Sequence, residues 1–290
     1  MLLTRVITAS VLASLIALAV FKLPSELFSL ILAVIALLAG WEWNNLVGVN
    51  SLVKRGLFLI LMVIPMVGIH FWTQLLELAA TVFDFTDIRS YSGVLEWLVI
   101  APVLFWVTMM IIIRNLPTGI MKIKLKTRYK LFVGWFVLVA TWMFLSRLRA
   151  FYGSEMTMYF LLLIWTADVA AYFIGKKFGT VKLSPDISPG KTVQGMYGAL
   201  ISGALCGVVL SLIFTFPIMI ASDFVLLSAM TVLVSIYGDL FFSVVKRQRG
   251  VKDSGSLLPG HGGILDRIDS VVAAAPFFYA GVFLIYRSIS

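Results

Sequence analysis

Nine long apolar segments recur along this 290-residue chain and determine the solvent in which it can fold. A helix that spans the hydrocarbon core of a bilayer needs about 20 predominantly apolar residues. Hydrophobic residues make up 61% of the chain, so too few polar side chains remain to cover a water-soluble globule. The predicted fold is an all-α, polytopic transmembrane helical bundle of about nine spans, at residues 6–21, 27–43, 56–72, 94–113, 129–145, 157–174, 193–214, 222–242 and 270–286.

Two apolar stretches have a second interpretation. The first segment, with Arg5 ahead of it and small residues near its end, is also compatible with a cleaved signal peptide. The stretch from His70 to Asp84 is apolar enough for an interfacial helix. We therefore accept eight to ten spans.

The basic residues predict the orientation of the bundle. With a cytoplasmic N-terminus, 18 of the 23 lysine and arginine residues fall on the cytoplasmic side, which is the asymmetry that sets topology. The chain is expected to run N-in and C-out in the plasma membrane, the inner membrane of a bacterium. The net charge of +9 is explained by anionic lipid headgroups, so no nucleic-acid partner is expected.

The chain divides by polarity into two halves. Residues 1–150 are spans joined by short loops, and Glu42, at the end of the second span, is a weak site candidate for which the interfacial interpretation is preferred. Residues 151–290 form the expected catalytic half, with polar cytoplasmic loops at 175–192 and 243–269. Asp168 and Asp239 lie at one depth, about 10–12 Å inside the helices that lead to these loops. Intramembrane carboxylates usually mark a functional site, whereas the alternative is a structural hydrogen bond between helices.

The first polar loop contains Gly190-Lys191-Thr192, which looks like the end of a P-loop. A P-loop needs a glycine five residues earlier and a preceding strand, but position 185 is proline and an apolar helix comes before it. Lys191 and the Thr192 hydroxyl are instead expected at the start of a helix, where free N–H groups favour anions.

The second polar loop combines the groups that phosphate chemistry requires. Basic side chains neutralise phosphates, glycines let the backbone approach a ligand, and carboxylates supply the oxygen ligands that Mg²⁺ prefers beside substrate phosphates. His261 has two open interpretations, proton transfer or a structural hydrogen bond. The basic residues are Lys246, Arg247, Lys252 and Arg267; the glycines are Gly260, Gly262 and Gly263; the carboxylates are Asp239 and Asp266, with Asp269 or Asp253 behind them.

Small residues recur every fourth position on the seventh span. Gly195, Ala199, Gly203 and Gly207 form a stripe that lets another helix approach closely. The partner helix lies either in the same chain or across a homodimer.

The second loop resembles the signature of the phosphatidate cytidylyltransferases, or CDP-diacylglycerol synthases. The matching residues are Ser243, Lys246-Arg247, Lys252-Asp253, His261-Gly262-Gly263 and Asp266-Arg267-Ile268-Asp269. Two upstream stretches are also similar to the family, Asp168 to Gly175 with Gly179, and Ser188-Pro189 followed by Lys191-Thr192 and Gly195. Gln194 departs from the glutamate of many members and receives no role.

The resemblance implies transfer of CMP from CTP to phosphatidate, giving CDP-diacylglycerol and pyrophosphate for phospholipid biosynthesis. It also implies Mg²⁺, with a monovalent cation such as K⁺ as a further candidate. The expected catalytic residues are Asp239, Asp266, Lys246, Arg247 and His261, and the expected metal ligands are Asp239, Asp266 and Asp269. Substrate contacts are assigned to Lys191, Thr192, Ser243, Lys252, Gly262, Gly263, Arg267 and Asp168.

Two other functions compete with this one. A CTP-dependent lipid kinase, such as a polyprenol kinase, would move the γ-phosphoryl group to an alcohol. A secondary transporter also carries intramembrane acids, but such folds tend to have internal repeats and midplane sites. In this sequence no repeat is visible and the polar residues gather at one face.

Overall fold

The computed structural model describes residues 2–83, 93–257 and 262–289 of the chain. Within these residues the chain is almost entirely helical, and its only strands form one short antiparallel hairpin. In chain order the elements are α1 (Leu2–Lys22), α2 (Ser25–Leu46), α3 (Leu52–His70), α4 (Trp72–Val82), α5 (Val94–Trp97), α6 (Ile100–Asn115), α7 (Pro117–Lys122), α8 (Thr127–Phe178), β1 (Lys182–Ser184), β2 (Ser188–Thr192), α9 (Val193–Ile213), α10 (Ile218–Arg249) and α11 (Leu265–Ile289).

The long helix α8 consists of two legs. Its 52 residues would extend about 78 Å if straight, far more than the ~30 Å core of a bilayer. At Gly153 the backbone leaves the helical region, with φ 84° and ψ 179°. This positive φ suits glycine, which has no side chain to clash. The chain therefore turns at Gly153, and each leg is long enough for one span.

The predicted helical bundle is confirmed. In the described part of the chain, seven helices are long and apolar enough to cross a membrane. Counting the two legs of α8 separately gives eight, and α1 contains a shorter apolar stretch, Ser10–Lys22, at the position of the first predicted span. The 11-residue α4 occupies the stretch predicted as interfacial and is too short to span.

Side-chain contacts show which helix ends lie together. The indole N–H of Trp43, near the end of α2, donates to the Lys130 carbonyl at 3.0 Å. Lys130 Nζ donates to Gln248 Oε1, near the end of α10, at 3.1 Å. At the opposite end of the bundle, Arg149 donates to the carbonyls of Val20 and Leu23 at 2.9 and 3.1 Å. The ends of α2 and α10 and the start of α8 thus share one end, called here the loop end.

The small-residue stripe of α9 packs inside the chain. A Cβ atom at Gly203 would lie 2.8 Å from the Val232 side chain, and one at Gly207 would lie 2.6 Å from the Val225 backbone, both on α10. At Gly195 it would lie 2.7 Å from the Ala171 carbonyl of α8. These glycines let α9 sit directly against both helices, which settles the open alternative in favour of packing within the chain.

The second polar loop is shorter than the sequence predicted. Helix α10 continues to Arg249, and Gly250 ends it in the left-handed conformation with φ 75°. Basic residues in the last turn of α10 stabilise its C-terminus, as Asp266 stabilises the first turn of α11. Helices α10 and α11 are therefore joined by residues 250–264, called here the 250–264 segment, of which the structure describes 250–257 and 262–264. The first loop, 175–192, is also partly regular, since α8 extends to Phe178 and the hairpin follows.

Candidate active site

A cavity of about 890 Å³ opens at the loop end of the bundle. Its walls come from the second leg of α8, the hairpin, α10, the 250–264 segment and the start of α11. Its lining carries seven cationic and five anionic side chains, an excess that suits an anionic ligand. The predicted site residues that line it are Asp168, Lys191, Thr192, Asp239, Ser243, Lys246, Arg247, Lys252, Asp266, Arg267 and Asp269.

The two intramembrane carboxylates, Asp168 and Asp239, both line this cavity. Asp168 lies ten residues before the end of α8, and Asp239 lies ten before the end of α10. Both helices end at the same side, so the carboxylates reach one depth, about 15 Å inside the helix ends. Asp239 interacts electrostatically with both Asp168 and Asp269. Three carboxylates, Asp168, Asp239 and Asp269, thus line the same cavity.

Lys191 of β2 also lines this cavity. Its Nζ lies 2.6 Å from Asp239 Oδ2 and donates to the Ile236 carbonyl at 3.2 Å. Asp239 Oδ1 in turn accepts a hydrogen bond from the Ser243 hydroxyl at 3.3 Å. Lys191, which the sequence placed at a helix start, is therefore the ion-pair partner of the intramembrane Asp239 on a different element.

The Thr192 hydroxyl, which was expected to be free to bind an anion, instead caps a helix. It is the N-cap of α9, where its Oγ1 accepts a hydrogen bond from the Gly195 N–H at 3.1 Å, and only 6% of the residue is exposed. A Cβ atom at Gly175 or Gly179 would lie within 3 Å of the Thr192 side chain. These two glycines therefore let the end of α8 pack against the N-terminus of α9.

Lys246 and Asp266 form the second ion pair of the site. Their Nζ and Oδ1 atoms are 2.7 Å apart, and Asp269 Oδ2 lies 4.0 Å from the same ammonium group. The other oxygen of Asp266 accepts hydrogen bonds from the N–H groups of Ser254 and Gly263, at 2.8 and 3.0 Å. Asp266 thus holds the 250–264 segment together as well as facing the cavity.

Arg247 and Gln194 hold the two loops in place. Arg247 donates from Nε to the Ile187 carbonyl of the hairpin turn at 3.4 Å and from Nη1 to the Val251 carbonyl at 3.3 Å. Gln194 Oε1 accepts from the N–H groups of Thr180 and Val181, each at 3.2 Å. Sequence gave Gln194 no role, and the structure shows that it fixes the start of the hairpin.

The glycines of the second loop face inward. Gly262 has φ +85°, and a Cβ atom there would lie 3.0 Å from Asp266 Oδ2. The Gly263 N–H is used by Asp266, and neither of these two glycines lines the cavity. The predicted roles of Gly260 and His261 lie outside the described residues. Contact of Gly262 and Gly263 with phosphate stays a prediction.

Glu42 was placed wrongly by the sequence reasoning. It is only 1% exposed, and its carboxylate accepts hydrogen bonds from the second loop, from the N–H groups of Ile264 and Leu265 at 3.0 and 2.9 Å. The available signal was an acid at the end of an apolar helix with no basic neighbour in sequence, a position that is usually functional. The preferred interfacial interpretation did not anticipate that Glu42 is buried against the second loop.

The carboxylates of the cavity fit a metal ion whose remaining ligands are oxygen atoms of the substrate phosphates. Among residues 2–83, 93–257 and 262–289, no group of three or more acidic, histidine or cysteine side chains is arranged to hold a metal by itself. Mg²⁺ usually takes one or two carboxylates together with waters and substrate phosphates. Asp239, with Asp168 or Asp269 beside it, meets that requirement. Asp266 also accepts hydrogen bonds from two backbone N–H groups, so this carboxylate has a structural contact that Asp239 lacks.

Comparisons with known proteins agree with this chemistry. The model of the cytidylyltransferase family matches residues 3–285. The chain is 33% identical to a phosphatidate cytidylyltransferase of Haemophilus influenzae, over 96% of this chain and 97% of that protein. It is also 33% identical to the enzyme of that name from Pseudomonas aeruginosa, over 97% and 96%. The one from Bacillus subtilis is 42% identical over 131 residues, which is 44% of this chain and 47% of that protein.

Proposed function

The chain belongs to the cytidylyltransferase family, and on this basis we propose that it transfers CMP from CTP to phosphatidate, giving CDP-diacylglycerol and pyrophosphate. It is an integral membrane enzyme, a nucleotidyltransferase of phospholipid biosynthesis. One observation carries the proposed reaction: Asp168 of α8, Lys191 of β2, and Asp239 and Lys246 of α10 converge in one cavity.

The size and lining of the cavity suit these two substrates. A volume of about 890 Å³ lies at the upper end of the usual range for ligand sites, as a nucleotide beside a lipid headgroup requires. The lining also contains apolar side chains, including Met196, Ile236 and the 60%-exposed Tyr172. Phosphatidate can therefore stay in its leaflet while its phosphate reaches the charged cavity.

The chemistry is an in-line displacement at phosphorus. An oxygen of the phosphatidate phosphate forms a bond to the α-phosphorus of CTP, and the bond between that phosphorus and the β-phosphate oxygen breaks. The electron pair leaves with pyrophosphate. The attacking phosphate is already anionic, so the reaction needs no general base. His261 then need not transfer a proton.

Positioning and charge stabilisation lower the barrier of such a transfer. Lys191 and Lys246 have ammonium protons beyond those used in their ion pairs, and these can bind phosphate oxygens. Arg247, Lys252 and Arg267 lie along the cavity wall, where a triphosphate would pass. Mg²⁺ held by Asp239 with Asp168 or Asp269 would neutralise charge on the phosphates when bound. A bound K⁺ remains an expectation from the family resemblance.

The cavity is proposed to face the cytoplasm. Lys130, Lys176, Lys191, Lys246 and Lys252 all lie at the loop end, and lysine and arginine accumulate on the cytoplasmic side of membrane proteins. CTP is a cytosolic nucleotide and would enter from this side. The proposed location is the plasma membrane, the inner membrane in a bacterium. A homodimer stays a prediction, since the α9 stripe is used within the chain.

The fate of labelled CTP tests the proposed reaction. Purified protein is incubated with phosphatidate, Mg²⁺ and CTP labelled in the cytosine or in the γ-phosphate, and the lipids are identified by mass spectrometry. Cytosine label in the lipid, with release of pyrophosphate, is the expected result. Label from the γ-phosphate in the lipid would identify a CTP-dependent lipid kinase. Ion-driven flux in proteoliposomes without nucleotide turnover would identify a transporter.

A further inference from the structure

Glu42, in the N-terminal half of the chain, contacts the second polar loop of the catalytic half, and the proposed reaction gives it no role. Glu42 lies at the end of α2 with 1% of its surface exposed. Its Oε1 accepts a hydrogen bond from the Ile264 N–H at 3.0 Å, and its Oε2 accepts from the Leu265 N–H at 2.9 Å. These N–H groups lie at the N-terminus of α11, where helices leave donors unpaired and favour negative charge. Glu42 therefore caps α11 from a different helix.

A hydroxyl group connects this cap to the cavity. Ser254 Oγ lies 2.9 Å from Glu42 Oε2 and 3.0 Å from Asp266 Oδ2. Asp266 Oδ1 is the partner of Lys246 Nζ at 2.7 Å, and Lys246 lines the cavity. The contacts from Glu42 through Ser254 and Asp266 to Lys246 all have normal hydrogen-bond lengths, and the two carboxylates share the single hydroxyl proton of Ser254. The position of Lys246 thus depends on a residue more than 200 positions earlier in the chain.

The segment fits the carboxylate too closely for larger residues. A Cβ atom at Gly255 would lie 2.6 Å from Glu42 Oε1, and one at Gly263 would lie 2.3 Å from Oε2. Two of the glycines in the 250–264 segment therefore leave space for Glu42. Their role here is packing against an anion of the protein itself.

Trp43, the residue next to Glu42, is tightly packed between α8 and α10. The neighbouring Trp43 is 1% exposed, donates to the Lys130 carbonyl, and packs edge-on against Phe242 of α10 with ring centroids 5.9 Å apart. A Cβ atom at Gly134 would lie 2.0 Å from the Trp43 ring, so α8 also presses directly on it. The carboxylate is therefore fixed relative to α10, the helix that carries Asp239 and Lys246.

We propose that Glu42 is a positioning residue for the reaction: it anchors the 250–264 segment and the start of α11, and through Ser254 and Asp266 it sets the position of Lys246 in the cavity. This role rests on the proposed function for its kinetic consequence only. The anchoring itself is a property of the chain that can be measured without turnover.

The test compares Glu42→Gln with Glu26→Gln. The first change keeps the shape of the side chain, but replaces one acceptor oxygen by an NH₂ group that faces a backbone N–H. The second is a matched control, because Glu26 lies on the same helix at the opposite end of the bundle and is exposed. Loss of a hydrogen bond to a charged group is worth about 10- to 100-fold. We expect Glu42→Gln to lower kcat/KM for CTP by about that factor and Glu26→Gln to change it less than twofold.

Two readouts separate positioning from general destabilisation. Loss of folded enzyme would lower the apparent kcat and leave KM unchanged, whereas a displaced Lys246 raises the KM for CTP. Hydrogen exchange followed by mass spectrometry should show faster exchange in Glu42→Gln only for peptides covering 250–268. Unchanged kinetics, unchanged exchange in these peptides, or faster exchange in every helix would each overturn the proposal.

Ser254→Ala keeps the proposal testable if Glu42→Gln does not fold. It removes only the middle link, so it should raise the KM for CTP and leave the thermal midpoint nearly unchanged; a fully active Ser254→Ala would refute the connection. If wild-type protein forms no CDP-diacylglycerol, the proposed function fails, and the exchange comparison still decides whether Glu42 anchors the segment.

Discussion

Replacing Asp239 by asparagine separates a catalytic carboxylate from a structural one. The change keeps the size of the side chain and removes its negative charge. In the structure, Asp239 Oδ2 is 2.6 Å from Lys191 Nζ, and Oδ1 accepts from the Ser243 hydroxyl. The amide keeps an acceptor for one of these donors and loses the ion pair.

The expected effect on folding is small beside the expected effect on catalysis. The side chains of Lys191 and Asp239 are 25% and 29% exposed, so solvent screens their attraction. Loss of the pair should therefore cost about 1–3 kcal/mol of stability, below the total of ~5–15 kcal/mol for typical domains. Loss of an oriented charge that stabilises the transition state lowers kcat by about 100- to 1000-fold. Asp239→Asn should then be folded and nearly inactive.

The assay measures CDP-diacylglycerol formation by purified variants in detergent micelles at saturating CTP and phosphatidate. Asp223→Asn is the control, because Asp223 is an exposed residue near the other end of the same helix, α10. Circular dichroism and the thermal midpoint verify that each variant is folded. If folded Asp239→Asn turns over within tenfold of the wild-type rate, the assignment of Asp239 to the reacting phosphates is refuted.

Three further predictions follow from other parts of the structure. Chelation with EDTA should abolish turnover and added Mg²⁺ should restore it, whereas full activity in EDTA would contradict a divalent ion at the cavity carboxylates. Gln194→Ala removes the acceptor for two N–H groups of the hairpin, each worth about 1 kcal/mol, and should lower kcat/KM about fivefold or more; Gln194→Glu keeps the acceptor and should stay near wild type in the same assay. Arg147→Ala breaks a largely buried ion pair with Glu96 at the far end of the bundle, so the thermal midpoint should fall, by a loss of about 3 kcal/mol, while the KM values for both substrates stay unchanged.

Sequence predicted the spans well because length and apolarity are sufficient to identify them. It also predicted that Asp168 and Asp239 share one depth, since each precedes a polar loop by a similar distance on helices that end at the same side. The bend at Gly153 was implied only by the polar stretch between two predicted spans. The continuation of α10 to Arg249 was missed because hydropathy detects the membrane boundary, and a helix can extend beyond it.

The contacts between distant residues of the site were not predictable from sequence. Lys191 pairs with Asp239 across 48 positions, and Glu42 contacts Leu265 across 223. Hydropathy and motif spacing give the type and order of residues, but they contain no information on which distant side chains meet. Thr192 illustrates the ambiguity, because a hydroxyl at a helix N-terminus can either bind an anion or cap the helix, and the structure shows the cap.

The stretch from Ser243 to Asp269 therefore contains two groups of residues: one group lines the cavity, and the other, called here the holding group, maintains the conformation of the segment. Lys246 and Arg267 line the cavity, whereas Ser254 and Gly263 hold the segment in shape, and Asp266 does both with its two oxygens. Substitutions in either group should lower turnover, so activity alone cannot tell them apart. Only changes in the holding group should also speed hydrogen exchange at the start of α11. Because Glu42 accepts hydrogen bonds from the Ile264 and Leu265 N–H groups and lies beside the Ser254 hydroxyl, it belongs to the holding group although it lies in the other half of the chain.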